Sequence, residues 1–232
     1  VQTCALPISP GTVTIEGWAS PFSATAPLYM RGQGMDASVL EFTSPTASFI
    51  HLLDPVLEWS DFTISGLTTT TSSNGGSAAY SLAADSIGAS IAPKFHRVRF
   101  DGCKAPLNFE VPFDGAQIRD CENLNGTGHG FRFGTTTGVV LWGTWKNLSV
   151  IGWKVRNLAT TGPGQNVYAG LAYGDGHYFD GFDIDGVVGT TNRNGNAWPT
   201  EAGGLHTQAR NVTVGGNNKS KNISGGEVVR HV

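Results

Sequence analysis

FTISGL, Phe62 to Leu67, places apolar residues at its first, third and sixth positions and glycine at its fifth. Five more segments follow it: VRFDGC (98–103), AQIRDC (116–121), LSVIGW (148–153), FDIDGV (182–187) and VTVGGN (212–217). Side chains alternate across a strand, so the first and third positions face one side and form core columns. The fifth position is Gly in every copy except Asp120, and Asp is among the few side chains that tolerate a left-handed backbone. That column predicts a bend. Successive copies begin 36, 18, 32, 34 and 30 residues apart. A propeller or leucine-rich repeat holds a steadier period, whereas stacked coils of strand admit loops of any length at their corners. The pattern therefore predicts an all-β parallel β-helix in which each strand pairs with its equivalent in the next coil, about 4.8 Å away.

Composition agrees. The 232 residues include 32 Gly, only 14% are charged, and no stretch of Ala, Leu, Glu and Lys repeats at a helical period. A formal net charge of -3 leaves no basic footprint for nucleic acid. No apolar run approaches the roughly 18 residues that a membrane helix needs. The reading thus includes neither a nucleic-acid nor a membrane partner.

Val1–Ile8, VQTCALPI, matches the translation of a short-read sequencing adapter at every residue. Residues 1–10 are accordingly expected to be an artefactual, disordered leader, and 11–232 a β-helix domain of an assembled gene that has lost its native N-terminus. Cys4 then drops out of the cysteine count. Cys103 and Cys121 fall in one inward column of copies 18 residues apart. They are expected to stack as free core thiols, with a disulfide between them geometrically conceivable.

The repeat, with LYMRGQGMDASVLEFTSPTASFIHLLDPVLEWSDFTISGLT (28–68) before it, resembles the pectate-lyase-like superfamily, in particular its phage tailspike and polysaccharide-depolymerase branch. Gly32, Gly34 and Ser38 to Phe42 match the Gly-x-Gly turn and short strand that lead into the first coil of that branch. The likeness spans roughly residues 11–217. It implies a single-stranded right-handed parallel β-helix, a solenoid with long corner loops, and an extracellular or virion location. Spikes of this branch are commonly homotrimers, held by regions outside the helix. The superfamily includes lyases, hydrolases, epimerases and non-catalytic spikes, so the likeness is specific for fold and weak for activity.

The candidate site lies around FDIDGV. Asp183 and Asp185 are expected to point outward as a local negative patch, in columns otherwise mostly neutral. Two long insertions, 157–181 and 188–209, flank this coil, and loops of that length in a compact fold usually serve function. They carry Asp180 and Glu201, which join Asp183 and Asp185 as candidate acid, base or nucleophile. Tyr168, Tyr173, His177, Arg193, Trp198 and His206 are candidate substrate contacts, the aromatics by stacking on sugar rings. The expected function is polysaccharide depolymerisation, by hydrolysis in preference to lyase chemistry. Carboxylates about 5.5 Å apart would retain anomeric configuration, and a separation of about 6.5–9.5 Å would invert it. No cofactor is expected for a hydrolase; a lyase would hold the uronate through Ca²⁺ at Asp183 and Asp185. The alternative is a non-catalytic glycan-binding tail spike or adhesin.

Overall fold

The computed structural model describes residues 4–17, 22–24, 28–45, 50–52, 57–68, 80–82, 92–104, 106–109, 113–128, 130–133, 145–159, 167–168, 171–172, 176–188, 195–196, 208–210 and 213–214. Among these residues the chain is all β, with no helix. The main sheet has fourteen strands. They are β1 (Cys4–Pro7), β2 (Gly11–Glu16), β4 (Leu28–Arg31), β5 (Ser38–Thr43), β7 (Leu57–Ser65), β9 (Lys94–Asp101), β12 (Gln117–Arg119), β13 (Glu122–Leu124), β16 (Ser149–Ile151), β17 (Lys154–Ala159), β20 (Tyr178–Asp180), β21 (Asp183–Val188), β23 (Gln208–Arg210) and β24 (Thr213–Val214). A second sheet holds β3 (Phe22–Ala24), β6 (Ile50–Leu52), β8 (Tyr80–Leu82), β10 (Leu107–Phe109), β14 (Phe131–Phe133) and β19 (Leu171–Ala172). Two short pairs complete the set, β11 (Phe113–Asp114) with β15 (Trp145–Lys146) and β18 (Val167–Tyr168) with β22 (Gly195–Asn196). The pairings are parallel throughout, each strand lying in register with one from the preceding or following pass of the chain.

Each pass crosses the main sheet as two strands, or as one long strand with a bend inside it. The first half of β9 pairs with β12 and its second half with β13, and the succession continues as β12–β16–β20–β23 and β13–β17–β21–β24. Two inward ladders result. One is Met30, Trp59, Phe95, Ile118, Val150 and Phe179. The other is Leu40, Ile64, Phe100, Asn123, Val155 and Ile184. From Met30 to Phe179 and from Leu40 to Ile184 their members are buried, so like residues stack along the core. Asn123 is the polar exception, fully buried with no hydrogen-bond partner for its amide.

The six segments expected to share one set of columns divide between these ladders. FTISGL, VRFDGC, FDIDGV and VTVGGN belong to the second, and AQIRDC and LSVIGW to the first. The apparent step of 18 residues is the distance from the second strand of one pass to the first strand of the next. The strands that truly follow VRFDGC in register lie in CENLNG (121–126) and WKVRNL (153–158). Asn in place of Gly at their bends hides both from a search for glycine.

The bends form ladders of their own. Asp61, Arg97, Asp120, Gly152 and Gly181 stand at equivalent places with φ of 65°, 50°, 51°, 68° and 66°. Gly66, Gly102, Asn125 and Asn157 do the same between the main and second sheets, with φ of 77°, 63°, 52° and 56°. Only Gly, Asn and Asp enter this region at low cost, which explains every member except Arg97. Pairing continues through the bends, as in Gly102 N–H to Leu124 O (2.9 Å) and Asp120 N–H to Ile151 O (2.8 Å). Asn side chains extend it, Asn157 Nδ2 donating to Asn125 Oδ1 (3.2 Å) and Asn125 Nδ2 to Asp101 Oδ1 (2.9 Å). Asp101 therefore meets Asn125, and Arg119 lies beside His96 and Ile151, so the two do not form a ladder ion pair.

Within the segment read as a leader, β1 pairs with β4, Ile8 is buried, and Ser38 Oγ donates to the Ile8 carbonyl (3.2 Å). The exposed flank of β4 offers unpaired backbone groups, and β1 satisfies them. Cys103 and Cys121 are both free and fully buried but do not share a column, since Cys121 lies opposite Val98, whose N–H approaches its Sγ at 3.4 Å. Burial pushes both thiols up to about 12. Neither should react with a thiol reagent at pH 8 until denaturant is added; rapid labelling of Cys103 or Cys121 in the native protein, located by peptide mapping, would contradict this packing.

Candidate active site and its surroundings

Four outward ladders cover the main sheet. Two lie on the first strands of each pass: Tyr29, Glu58, Lys94, Gln117, Ser149 and Tyr178, and Arg31, Ser60, His96, Arg119, Ile151 and Asp180. Beyond the bend, the third ladder runs Arg99, Glu122, Lys154 and Asp183, and the fourth Ser65, Asp101, Leu124, Arg156 and Asp185.

The third ladder alternates in charge, contrary to the expected mostly neutral column. Arg99 Nε meets Glu122 Oε2 at 2.7 Å and its Nη1 meets Asp36 Oδ1 at 2.5 Å, while Lys154 Nζ reaches Glu122 Oε1 at 3.2 Å. Burial works to raise the Glu122 pKa, yet hydrogen bonds from Arg99 and Lys154 outweigh it and hold the carboxyl below its ordinary value. Asp183 continues the network, its Oδ2 2.5 Å from Arg156 Nη2, and Arg156 Nη1 also donates to the Asp183 carbonyl at 3.0 Å. Asp183 and Asp185 do share the outward face of β21, on either side of buried Ile184. They are not an uncompensated negative patch, because the preceding strand sets Lys154 and Arg156 against them. Among the described residues no group of three or more His, Cys, Asp or Glu side chains is placed to hold a metal. Arg156 balances the charge of Asp183 in this arrangement.

Asp180 lies just before the Gly181 bend, on the second outward ladder, and accepts a hydrogen bond from Tyr178 Oη at 3.0 Å. Three of the four candidate acids thus come together on β20 and β21. His177, expected to contact substrate, belongs instead to the core. It is 1% exposed, its Nδ1 accepts the Leu148 N–H at 3.2 Å, and its ring stacks on Phe113 at 5.9 Å. The reason is register: His177 follows the Gly176 bend and lies opposite Leu148, in the same inward column as Ala116. Tyr168 lies in β18 with its backbone opposite Asn196, its side chain being outside the description. Tyr173, Arg193, Trp198, Glu201 and His206 lie outside the described residues.

Sequence reasoning missed a groove of about 580 Å³ on the first two outward ladders, lined by Glu58, Lys94, His96, Gln117, Arg119 and Asp120 among others. Lys94 Nζ pairs with Glu58 Oε1 at 2.6 Å and His96 Nε2 lies 3.7 Å from Asp120 Oδ2. Beside it is a hollow of about 430 Å³ lined by Arg31, Gly32, Gln33, Asp61 and Arg97. Arg97 joins the two, with Nε 2.6 Å from Asp61 Oδ1 and Nη1 2.9 Å from His96 Nε2. Burial acts to raise the Asp61 pKa, but Arg97, Ser60 and Arg31 together hold it below the usual range. The available signal was KFHRVRFD (94–101), which alternates on both sides of Arg97 and so contains two outward faces.

No protein-family model, curated protein or solved structure matches the chain.

Proposed function

We propose that the protein is a right-handed parallel β-helix of the pectate-lyase-like kind that binds and depolymerises a polysaccharide on the outward face of its main sheet, as a glycoside hydrolase in preference to a lyase. The parallel registers, the stacked bends and the return of successive passes to the same sheets support the β-helix part of this reading. An extracellular or virion setting, and a trimer, go with it.

The observation that carries the chemistry is the grouping of Asp180, Asp183 and Asp185 on β20 and β21, with unlike partners for the first two. Glycoside hydrolysis needs one carboxyl group that protonates the leaving oxygen and a second that acts as base or nucleophile, and unlike surroundings divide those roles. Arg156 orients Asp183 and balances its charge, which suits the base or nucleophile and leaves Asp180, on the neighbouring strand of the same pass, as the candidate acid. Strands about 4.8 Å apart present a polar side chain at about the spacing of successive sugar units.

A panel of polysaccharides followed by reducing-end release and by absorbance at 235 nm tests this reading. Reducing ends without ultraviolet absorbance are expected, and Asp180→Asn and Asp183→Asn should each cut turnover by about 100-fold or more. Unchanged turnover in both variants would overturn the site. The engagement of Asp183 by Arg156 favours a second reading, a glycan-binding spike without catalysis, which binding with neither product signal would establish.

A further inference from the structure

Among the described residues β2 pairs with β5 alone and β1 with β4 alone, so the first pass presents a sheet edge. Gly11 N–H donates to the Ala37 carbonyl (2.6 Å) and Gly17 N–H to the Thr43 carbonyl (3.0 Å), which turns the backbone groups of Gly11, Val13 and Ile15 toward β5. The N–H and C=O groups of Thr12, Thr14 and Glu16 therefore point the other way, as a template for a further strand. The core ends at the same edge. Val13 and Ile15 lie opposite buried Leu40 and Phe42, yet Val13 is 48% exposed, the one large apolar side chain so exposed among the described residues.

The two strands of this pass differ in how they meet an incoming strand. Ile8 N–H donates to the Arg31 carbonyl (2.8 Å), which turns the neighbouring Pro7 toward the free flank of β1, and proline has no N–H to offer there. β2, GTVTIE, contains no proline and no basic residue, and its only charge is Glu16.

We propose that β2 pairs antiparallel with β2 of a second copy of this chain, about a two-fold axis at Thr14. Self-complementarity selects that occupant. With Thr14 opposite its symmetry mate, Thr12 stands opposite Glu16 of the second copy, and every outward-turned N–H and C=O group of β2 gains a partner. Val13 meets Ile15 of the second copy on the inward face, so two cores that end in exposed apolar surface join. An axis perpendicular to the sheet keeps both inward faces inward. The neighbouring two-fold registers fail. An axis at Glu16 sets like charges directly opposite, and an axis at Thr12 sets Thr14 opposite Pro10, which lacks the donor. The assignment is independent of the polysaccharide reading, and a trimer held by regions outside the helix would leave this edge free.

Sedimentation equilibrium of the full chain, Thr14→Pro and Val13→Glu over a range of concentrations tests the proposal. Thr14→Pro removes an N–H that β5 does not use, and Val13→Glu puts a charge where the two cores meet. Far-ultraviolet circular dichroism and melting temperature report whether each variant keeps the fold. The parent is expected at twice the mass of either variant, whose self-association should be weaker by about tenfold or more. A variant mass of one chain makes the parent a dimer, and a variant mass of three chains makes it two spikes joined at this edge; both outcomes support the pairing. Equal masses in the parent and the folded variants would overturn it, as would a parent that remains one chain at the highest concentration. Should Thr14→Pro fail to fold, Val13→Glu decides by the same comparison, because its exposed position leaves the fold intact.

Discussion

Gly66→Ala should destabilise the protein by about 3 kcal/mol, and equilibrium urea unfolding is the measurement that checks it. Two costs combine. Gly66 has φ of 77°, where an added Cβ costs about 1–2 kcal/mol whatever space surrounds it. That Cβ would also lie 2.2 Å from the Phe42 carbonyl oxygen, a backbone atom that cannot rotate aside. The pass containing β5 would have to separate from the pass containing β7, an overpacking cost of about 1–3 kcal/mol. Gly115→Ala isolates the first cost, because Gly115 has φ of 83° with nothing within 4 Å of the added atom. It should lose only about 1–2 kcal/mol. Equal losses in the two variants would show that the passes are not in contact at Gly66.

Glu122→Ala should cost about 2 kcal/mol, less than the 3–5 kcal/mol for breaking a fully buried pair because Lys154 is half exposed. Its removal leaves Arg99 and Lys154 facing each other across β13 with the intervening charge gone. The same arrangement sets an acid limit to stability. Glu122 and Asp61 have folded pKa values below their ordinary 4.5 and 3.8. Their contribution is therefore complete above those ordinary values and is lost as pH falls through the lowered ones. Melting temperature followed from pH 7 to pH 2 should fall chiefly below about pH 4.5, and less steeply in Glu122→Gln than in the parent. An identical acid limb in both would remove Glu122 from the account.

Much of the framework is legible in the chain alone. Alternation in FTISGL and VRFDGC places Phe62, Ile64, Val98 and Phe100 in the core because strand side chains alternate strictly. Gly66, Gly102 and Gly152 mark bends because their backbone geometry admits few other residues. The outward placement of Asp183 and Asp185 follows from the same alternation. Register does not follow, since it depends on pairing between residues 23–36 apart whose connecting loops vary freely. A one-strand error in aligning AQIRDC put Gln117, in place of Glu122, beside Arg99 and so concealed the alternating charge ladder. It also left His177 in a loop, where Leu148 and Phe113 in fact claim it for the core. Local residue type is enough to say that a position faces inward, faces outward or bends. Which charges neutralise one another depends on how distant passes stack, and for Asp183 that stacking sets Lys154 and Arg156 on the strand beside it.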